Sequence, residues 1–127
     1  MKKVYVAMSA DIIHQGHLNV LNEARKLGDV IVGLHTDKVI RGYWRNPIMK
    51  YEERKKVVEN IKGVIEVIPQ DILNQVPNLR KIKPDYVLHG DDWMEGDQRK
   101  IRDKVIEVLK EWDGKLVEVQ YTKGVSI

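Results

Sequence analysis

Apolar residues along this chain of 127 residues fall into short unbroken runs that alternate with stretches of helical spacing. The first run, Val4-Tyr5-Val6-Ala7-Met8, is rich in residues that favour β-structure and predicts a buried strand. Later apolar runs predict four more strands, at residues 30–34, 64–68, 85–89 and 116–119.

The stretches between these runs predict helices. From about Gly16 the apolar residues recur every three or four positions, and Gly28 stands where a C-terminal cap is expected. The same spacing predicts a helix over residues 51–61, which Gly63 ends, and an amphipathic helix along Ile101, Val105, Leu109 and Trp112.

Two segments are less regular. Residues 38–50 contain Gly42 and Pro47 and predict a loop with a short helical start. Asp71 is expected to cap a short helix that Pro77 interrupts.

Strands that alternate with helices predict right-handed crossovers and a five-stranded parallel sheet, an α/β Rossmann-like fold of three layers in one domain over residues 1–127. Such sheets bind ligands beyond the carboxyl ends of their strands, near the point where the strand order reverses. The segments expected to converge there are residues 9–17, 35–37, 69–70, 90–93 and 121–127.

The amino-acid composition excludes several kinds of functional site. The chain has no cysteine, which excludes a disulfide scaffold, a thiolate zinc site and a cysteine nucleophile, and fits a cytoplasmic location. No apolar run approaches the roughly 20 residues of a membrane span, and no cleavage site of a signal peptide follows Met1. The net charge is +3, from 22 basic and 19 acidic residues, with no basic stripe of the kind that binds nucleic acid.

The segment His14-Gln15-Gly16-His17 follows the first strand and opens the first helix. Gly16 removes a side chain where the backbone can approach a ligand, and a helix N-terminus offers unpaired N–H groups. Two imidazoles add donors for phosphate oxygens, which suits nucleotidyl transfer. The residues leave two alternatives open: a purely structural pair, with His17 as a helix cap, and a metal site without an obvious third ligand.

Four segments in order resemble motifs of the cytidylyltransferases, in the HxGH nucleotidyltransferase superfamily. They are residues 9–17, Tyr51-Glu52-Glu53-Arg54-Lys55, Gly90-Asp91-Asp92-Trp93 and Tyr121-Thr122-Lys123-Gly124-Val125-Ser126. Ser9-Ala10-Asp11 and Tyr121 are more similar to the branch of phosphonate biosynthesis than to the glycerol-3-phosphate branch. The resemblance implies transfer of CMP from CTP to a small phosphonate, 2-aminoethylphosphonate first, or to a phosphate monoester, with release of pyrophosphate.

The resemblance also implies roles for single residues. His14 and His17 would hold the triphosphate as catalytic residues, and Arg54 would neutralise phosphate or acceptor charge; without the resemblance, Arg54 is a solvated helix residue. The nucleotide-binding residues would be Ser9, Ala10, Asp11, Gly16, His89, Gly90, Asp91, Tyr121, Thr122, Gly124, Val125 and Ser126.

Asp37 and Arg45, beside and within the irregular loop, are candidates for an acceptor site or a lid. Mg²⁺ is expected with the CTP phosphates, without an assigned protein ligand. A homodimer is expected by resemblance, with no nucleic-acid or membrane partner. The family motif continues past Ser126 into a helix, whereas Ile127 ends this sequence. Either the sequence is truncated or the protein lacks that final element, and in the second case weaker triphosphate binding is expected.

Several functions therefore remain open. They are a cytidylyltransferase for a phosphonate, one for glycerol 3-phosphate or phosphocholine, and a nucleotide-binding module without turnover. An adenylyltransferase that uses ATP is a further rival, since it shares the HxGH turn.

Overall fold

The computed structural model describes residues 2–93 and 98–120. The strands are β1 (Lys3–Met8), β2 (Asp29–His35), β3 (Val64–Gln70), β4 (Tyr86–Gly90) and β5 (Lys115–Val119). The α-helices are α1 (Gln15–Leu27), α2 (Asp37–Tyr43), α3 (Tyr51–Glu59), α4 (Val76–Ile82) and α5 (Gln98–Leu109). All strand pairs are parallel, in the order β3-β2-β1-β4-β5, which confirms the predicted α/β sheet.

The alternation of side chains along the central strand feeds two cores. Val4, Val6 and Met8 of β1 point to the face that α1 and α3 cover, where Leu21 and Val58 are buried. Tyr5 points to the opposite face, where it joins the buried residues of α4 and α5. Since both faces are apolar, the strands read as unbroken hydrophobic runs.

Two local predictions, a cap at Gly28 and a helix that Asp71 caps, have different outcomes. Gly28 is the C-cap residue of α1, as predicted, and its φ of 163° is extended. A Cβ there would lie 2.2 Å from the Lys2 carbonyl oxygen, so glycine is needed for close backbone approach. Pro77 lies in the first turn of α4 and so begins that helix instead of interrupting it, and Gln75, not Asp71, is the N-cap residue.

The irregular loop is shorter than predicted. Residues 37–43 form the helix α2, which leaves residues 44–50 as the connection to α3. We call residues 44–50 the strap.

The strand order reverses between β1 and β4. From β1 the chain runs outward through β2 to β3 and then returns to the other side of β1. Ligand sites of parallel sheets lie at this reversal, beyond the carboxyl ends of the strands. The segments that follow Met8 and Gly90 therefore frame the candidate site. Within the described part of the chain, no helix has the length and apolar character to span a bilayer.

Candidate active site

Two histidines meet at the N-terminus of α1, with their ring centroids 4.1 Å apart. His14 is the N-cap residue, and its Nδ1 accepts a hydrogen bond from the Gly16 N–H at 3.0 Å. The His17 Nδ1 accepts from the His14 N–H at 3.1 Å. The pair is a capping box in which imidazoles replace the usual hydroxyl and carboxyl groups. We call residues 14–17 the histidine turn.

The capping bonds define the tautomer of both rings. Because each Nδ1 accepts a hydrogen bond, the proton of each neutral imidazole is on Nε2. Burial, assisted by the charge of His14, lowers the pKa of His17 to about 4. His17 is therefore neutral near pH 7, with Nε2–H as its donor. The structural and functional interpretations of the histidine turn are thus compatible, since the cap fixes the tautomer that a phosphate-binding imidazole needs.

Arg54, in the first turn of α3, is fully buried. Its Nη1 donates to the carbonyl oxygens of Ser9 at 2.7 Å and of His35 at 2.6 Å. Its Nε donates to the Met49 carbonyl at 3.0 Å, and its Nη2 to the Asp37 carboxylate at 2.7 Å. One guanidinium thus ties together the ends of β1 and β2, the start of α2 and the strap, and four of its five N–H groups have partners inside the chain.

Asp11, 1% exposed, accepts two hydrogen bonds from the strap. The N–H groups of Ile48 and Met49 each donate to its carboxylate at 2.9 Å. The Nη2 of Arg45 lies 3.0 Å from the same carboxylate, and the Arg45 guanidinium lies 3.4 Å above the Trp44 ring. Ala10, just before Asp11, is buried with a positive φ of 49°, so the chain turns sharply between β1 and the histidine turn.

A third histidine, His35, is the last residue of β2. His35 Nδ1 is 2.9 Å from the Tyr43 hydroxyl. Burial, followed by the charges of Arg54 and His89, lowers the pKa of His35 to about 4. Since His89 belongs to β4, its effect on the pKa of His35 indicates that the ends of β2 and β4 share one electrostatic environment.

The side of the site that follows β4 is aromatic. His89 stacks on Trp93 with centroids 3.6 Å apart and an interplanar angle of 3°, and its Nδ1 lies 2.8 Å from the Gly90 carbonyl oxygen. The buried Trp93 donates from Nε1 to Glu118 at 2.8 Å, and Arg102 binds the same carboxylate with two hydrogen bonds. The bond from Arg102, aided by that from Trp93, lowers the pKa of Glu118 below its usual range.

The structure brings most of the expected site residues to one edge of the sheet. They lie just after or at the carboxyl ends of β1, β2 and β4, in the histidine turn, in the strap, or in the first turns of α2 and α3, and they are Ser9, Ala10, Asp11, His14, Gly16, His17, Asp37, Arg45, Arg54, His89, Gly90 and Asp91. Tyr121, Thr122, Gly124, Val125 and Ser126 lie outside the described residues. Across residues 2–93 and 98–120 no three His, Asp or Glu side chains come together as a metal site.

Sequence reasoning missed two sets of contacts at this edge. One set joins Asp11 to Ile48 and Met49 of the strap, which lie 37 and 38 positions further along the sequence. The other lies beneath the site, where the Tyr5 hydroxyl donates to Gln70 and accepts from Asn78. A Cβ on Gly33 would overlap that hydroxyl, so the glycine in an otherwise apolar strand was the available signal.

Comparison with known proteins connects this geometry to an enzyme family. The sequence profile described as cytidylyltransferase-like matches residues 8–124. The chain is 36% identical to the FAD synthase of Ferroglobus placidus, over 91% of this chain and 82% of that protein. It is 34% identical to the glycerol-3-phosphate cytidylyltransferase of Staphylococcus aureus, over 90% of this chain and 88% of that protein. It is 37% identical to the ethanolamine-phosphate cytidylyltransferase of Mus musculus, over 91% of this chain but 28% of that protein.

The fold has a match among solved structures as well. The lipopolysaccharide core biosynthesis protein from Thermoplasma volcanium superposes with a TM-score of 0.81, over 97% of this chain and 99% of that one. The identity of 23% makes this a likeness of fold.

Proposed function

The chain belongs to the cytidylyltransferase-like family, and from that premise we propose that it transfers CMP from CTP to a small acceptor bearing a phosphate or phosphonate, with release of pyrophosphate. The observation that carries the proposal is the histidine turn at the strand reversal, with two imidazoles at a helix N-terminus. Such a site suits a reaction in which little covalent help is needed and negative charge must be stabilised.

In the proposed reaction an acceptor oxygen attacks the α-phosphorus in line, and pyrophosphate leaves from the opposite side. The Nε2–H groups of His14 and His17 donate to phosphate oxygens, and the N-terminus of α1 adds its dipole. Arg45 supplies a guanidinium from the strap. Arg54 acts mainly through the backbone it holds, because only one of its N–H groups is left after its internal bonds.

Within this class we favour 2-aminoethylphosphonate as acceptor. The motifs around Ser9 and Tyr121 support it by resemblance. It differs from ethanolamine phosphate, the compound named for the Mus musculus relative, by a single bridging oxygen. Glycerol 3-phosphate is the alternative within the class, after the Staphylococcus aureus relative.

The second candidate function is transfer of AMP from ATP. FAD is FMN joined to AMP, and the relative named FAD synthase matches nearly the whole chain. A module that binds nucleotide without turnover is the outcome if neither nucleotide reacts.

Mg²⁺ is proposed as the cofactor, and it would supply charge neutralisation on the phosphates. Mg²⁺ in such sites is held largely by phosphate oxygens and water, so no protein ligand is assigned to it. A homodimer stays a prediction.

A pyrophosphate-release assay tests the proposal. CTP is offered with 2-aminoethylphosphonate, ethanolamine phosphate, glycerol 3-phosphate or phosphocholine, and ATP is offered with FMN, each with Mg²⁺. Release with CTP and one of the first four acceptors is the expected result. Release with ATP and FMN alone would establish the second candidate, and release with no pair, from chain shown to be folded by circular dichroism, would contradict both.

A further inference from the structure

The strap is held to the body of the protein chiefly by one buried carboxylate. It has no regular secondary structure between α2 and α3. Asp11 Oδ1 accepts from the Met49 N–H, and Asp11 Oδ2 accepts from the Ile48 N–H and faces Arg45. The contacts span 34 to 38 positions of sequence, so nothing local to the strap provides them.

We propose that Asp11 is a positioning residue for the nucleotidyl transfer proposed above: its carboxylate holds the strap against the end of β1, so that Arg45 is presented to an anionic phosphate of the substrate. This inference rests on the proposed function. It assigns Asp11 a role through its side chain, distinct from contact between its backbone and the nucleotide.

The two arginines of the site, Arg45 in the strap and Arg54 in α3, differ in how their donors are used. Arg54 donates four of its N–H groups to acceptors within the chain. The terminal nitrogens of Arg45 are buried, and neither makes a well-aligned hydrogen bond to any described residue, although Nη2 is at ion-pair distance from Asp11. Buried donors without acceptors are costly, and a phosphate is the acceptor that a guanidinium fork matches best.

Trp44 and Asp11 hold this guanidinium from two sides. The ring restricts it by stacking at 3.4 Å, and the carboxylate offsets its charge until a substrate arrives. The two backbone bonds from the strap to Asp11 do not involve Arg45, so they can persist when the guanidinium turns to a phosphate.

Asp11→Asn is the variant that tests the inference. An asparagine offers one acceptor and one NH2 group, so it leaves a strap N–H facing a donor and removes the charge opposite Arg45. The matched control is Asp85→Asn. Asp85 also accepts a backbone N–H at 2.9 Å, from Lys3, but at the opposite edge of the sheet and on the surface.

The first measurement is limited trypsin digestion, with cleavage at the Arg45–Asn46 bond followed by mass spectrometry. We expect cleavage of Asp11→Asn to be about tenfold faster than that of the parent chain, since a lost buried acceptor favours local opening. Asp85→Asn should be cut at the parental rate. CTP with Mg²⁺ should slow cleavage of the parent chain.

The second measurement is the kinetics of pyrophosphate release. For Asp11→Asn we expect the KM for CTP to rise about tenfold while kcat changes less than about threefold, as when ground-state and transition-state binding are lost together. Asp85→Asn should keep both constants. A residue that merely stabilises the fold would lower the active fraction and leave KM unchanged.

The outcomes separate the inference from the proposed function. Parental cleavage in Asp11→Asn, or faster cleavage with an unchanged KM, overturns the inference and leaves the function standing. A parent chain that releases no pyrophosphate refutes the function; calorimetry with CTP and with ATP then replaces KM. A binding constant weakened about tenfold in Asp11→Asn supports positioning, whereas a parent chain that binds neither nucleotide overturns it.

Discussion

The histidine turn and the Arg54 cluster lie at the same edge of the sheet, but they are built from different kinds of contact. The histidine turn is closed by bonds between residues two and three positions apart. Arg54 joins groups that lie between 5 and 45 positions away in sequence. One region is a local motif, and the other exists only in the folded chain.

Because of this difference, substitutions in the two regions should affect stability differently. A cap contributes about 1 kcal/mol to stability, so the histidine turn can be altered without losing the fold. A buried charge deprived of its partners costs several kcal/mol of stability, so the Arg54 cluster cannot be altered without loss of the fold. Activity should therefore depend on the first region directly, and on the second through the geometry that it maintains.

The largest effect is expected from Arg54→Lys. An ammonium has three donors and no planar fork, so it cannot replace four bonds that run in fixed directions. We expect the free energy of unfolding to fall by about 3 kcal/mol, measured by urea denaturation, and activity to fall with the folded fraction and the altered strap.

Arg80→Lys is the matched control for that prediction. Arg80 pairs with Glu111 at 2.9 Å, and both side chains are more than half exposed. The same substitution should cost less than about 1 kcal/mol there, because exposed ion pairs contribute little. Equal costs at the two sites would show that burial of Arg54 is not what makes it important.

His14→Asn is expected to produce the next largest effect, and on activity alone. Asparagine is among the best N-cap residues, so it keeps the bond from the Gly16 N–H while it removes the imidazole Nε2–H. Loss of one donor to the developing charge should lower kcat/KM about 100-fold, with the urea midpoint nearly unchanged. A variant with parental kcat/KM would reduce the histidine turn to a helix cap.

The same contrast explains what the sequence could predict. Apolar runs and helical spacing are local signals, and they predicted all five strands and the parallel sheet. The histidine turn was found for the same reason, since its glycine, its histidines and the preceding strand are neighbours in sequence.

Contacts between distant segments left no comparable signal. Nothing near Asp11 indicates that its carboxylate binds the amides of Ile48 and Met49. Arg54 resembles a solvated helix residue in sequence, yet it is fully buried. The motif singled Arg54 out as a candidate, but only the fold shows that most of its donors bind backbone carbonyl oxygens.

The last prediction probes both regions together through the response to acid. The pKa values of His17 and His35 are lowered to about 4, whereas an unfolded histidine titrates near 6.5. Between these values the unfolded chain binds more protons than the native chain, so the free energy of unfolding falls as the pH decreases from about 6.5 to about 4, at up to about 1.4 kcal/mol per pH unit for each histidine.

Urea midpoints between pH 7.5 and 4.5 should show this slope in the parent chain, and about half of the slope should be lost in His17→Gln or in His35→Gln. Glutamine at position 17 keeps an acceptor for the His14 N–H, so the cap survives. If the two variants lose equal shares, burial alone sets the pKa in both regions; if His35→Gln loses much more, the charge of Arg54 deepens the shift where the contacts are non-local.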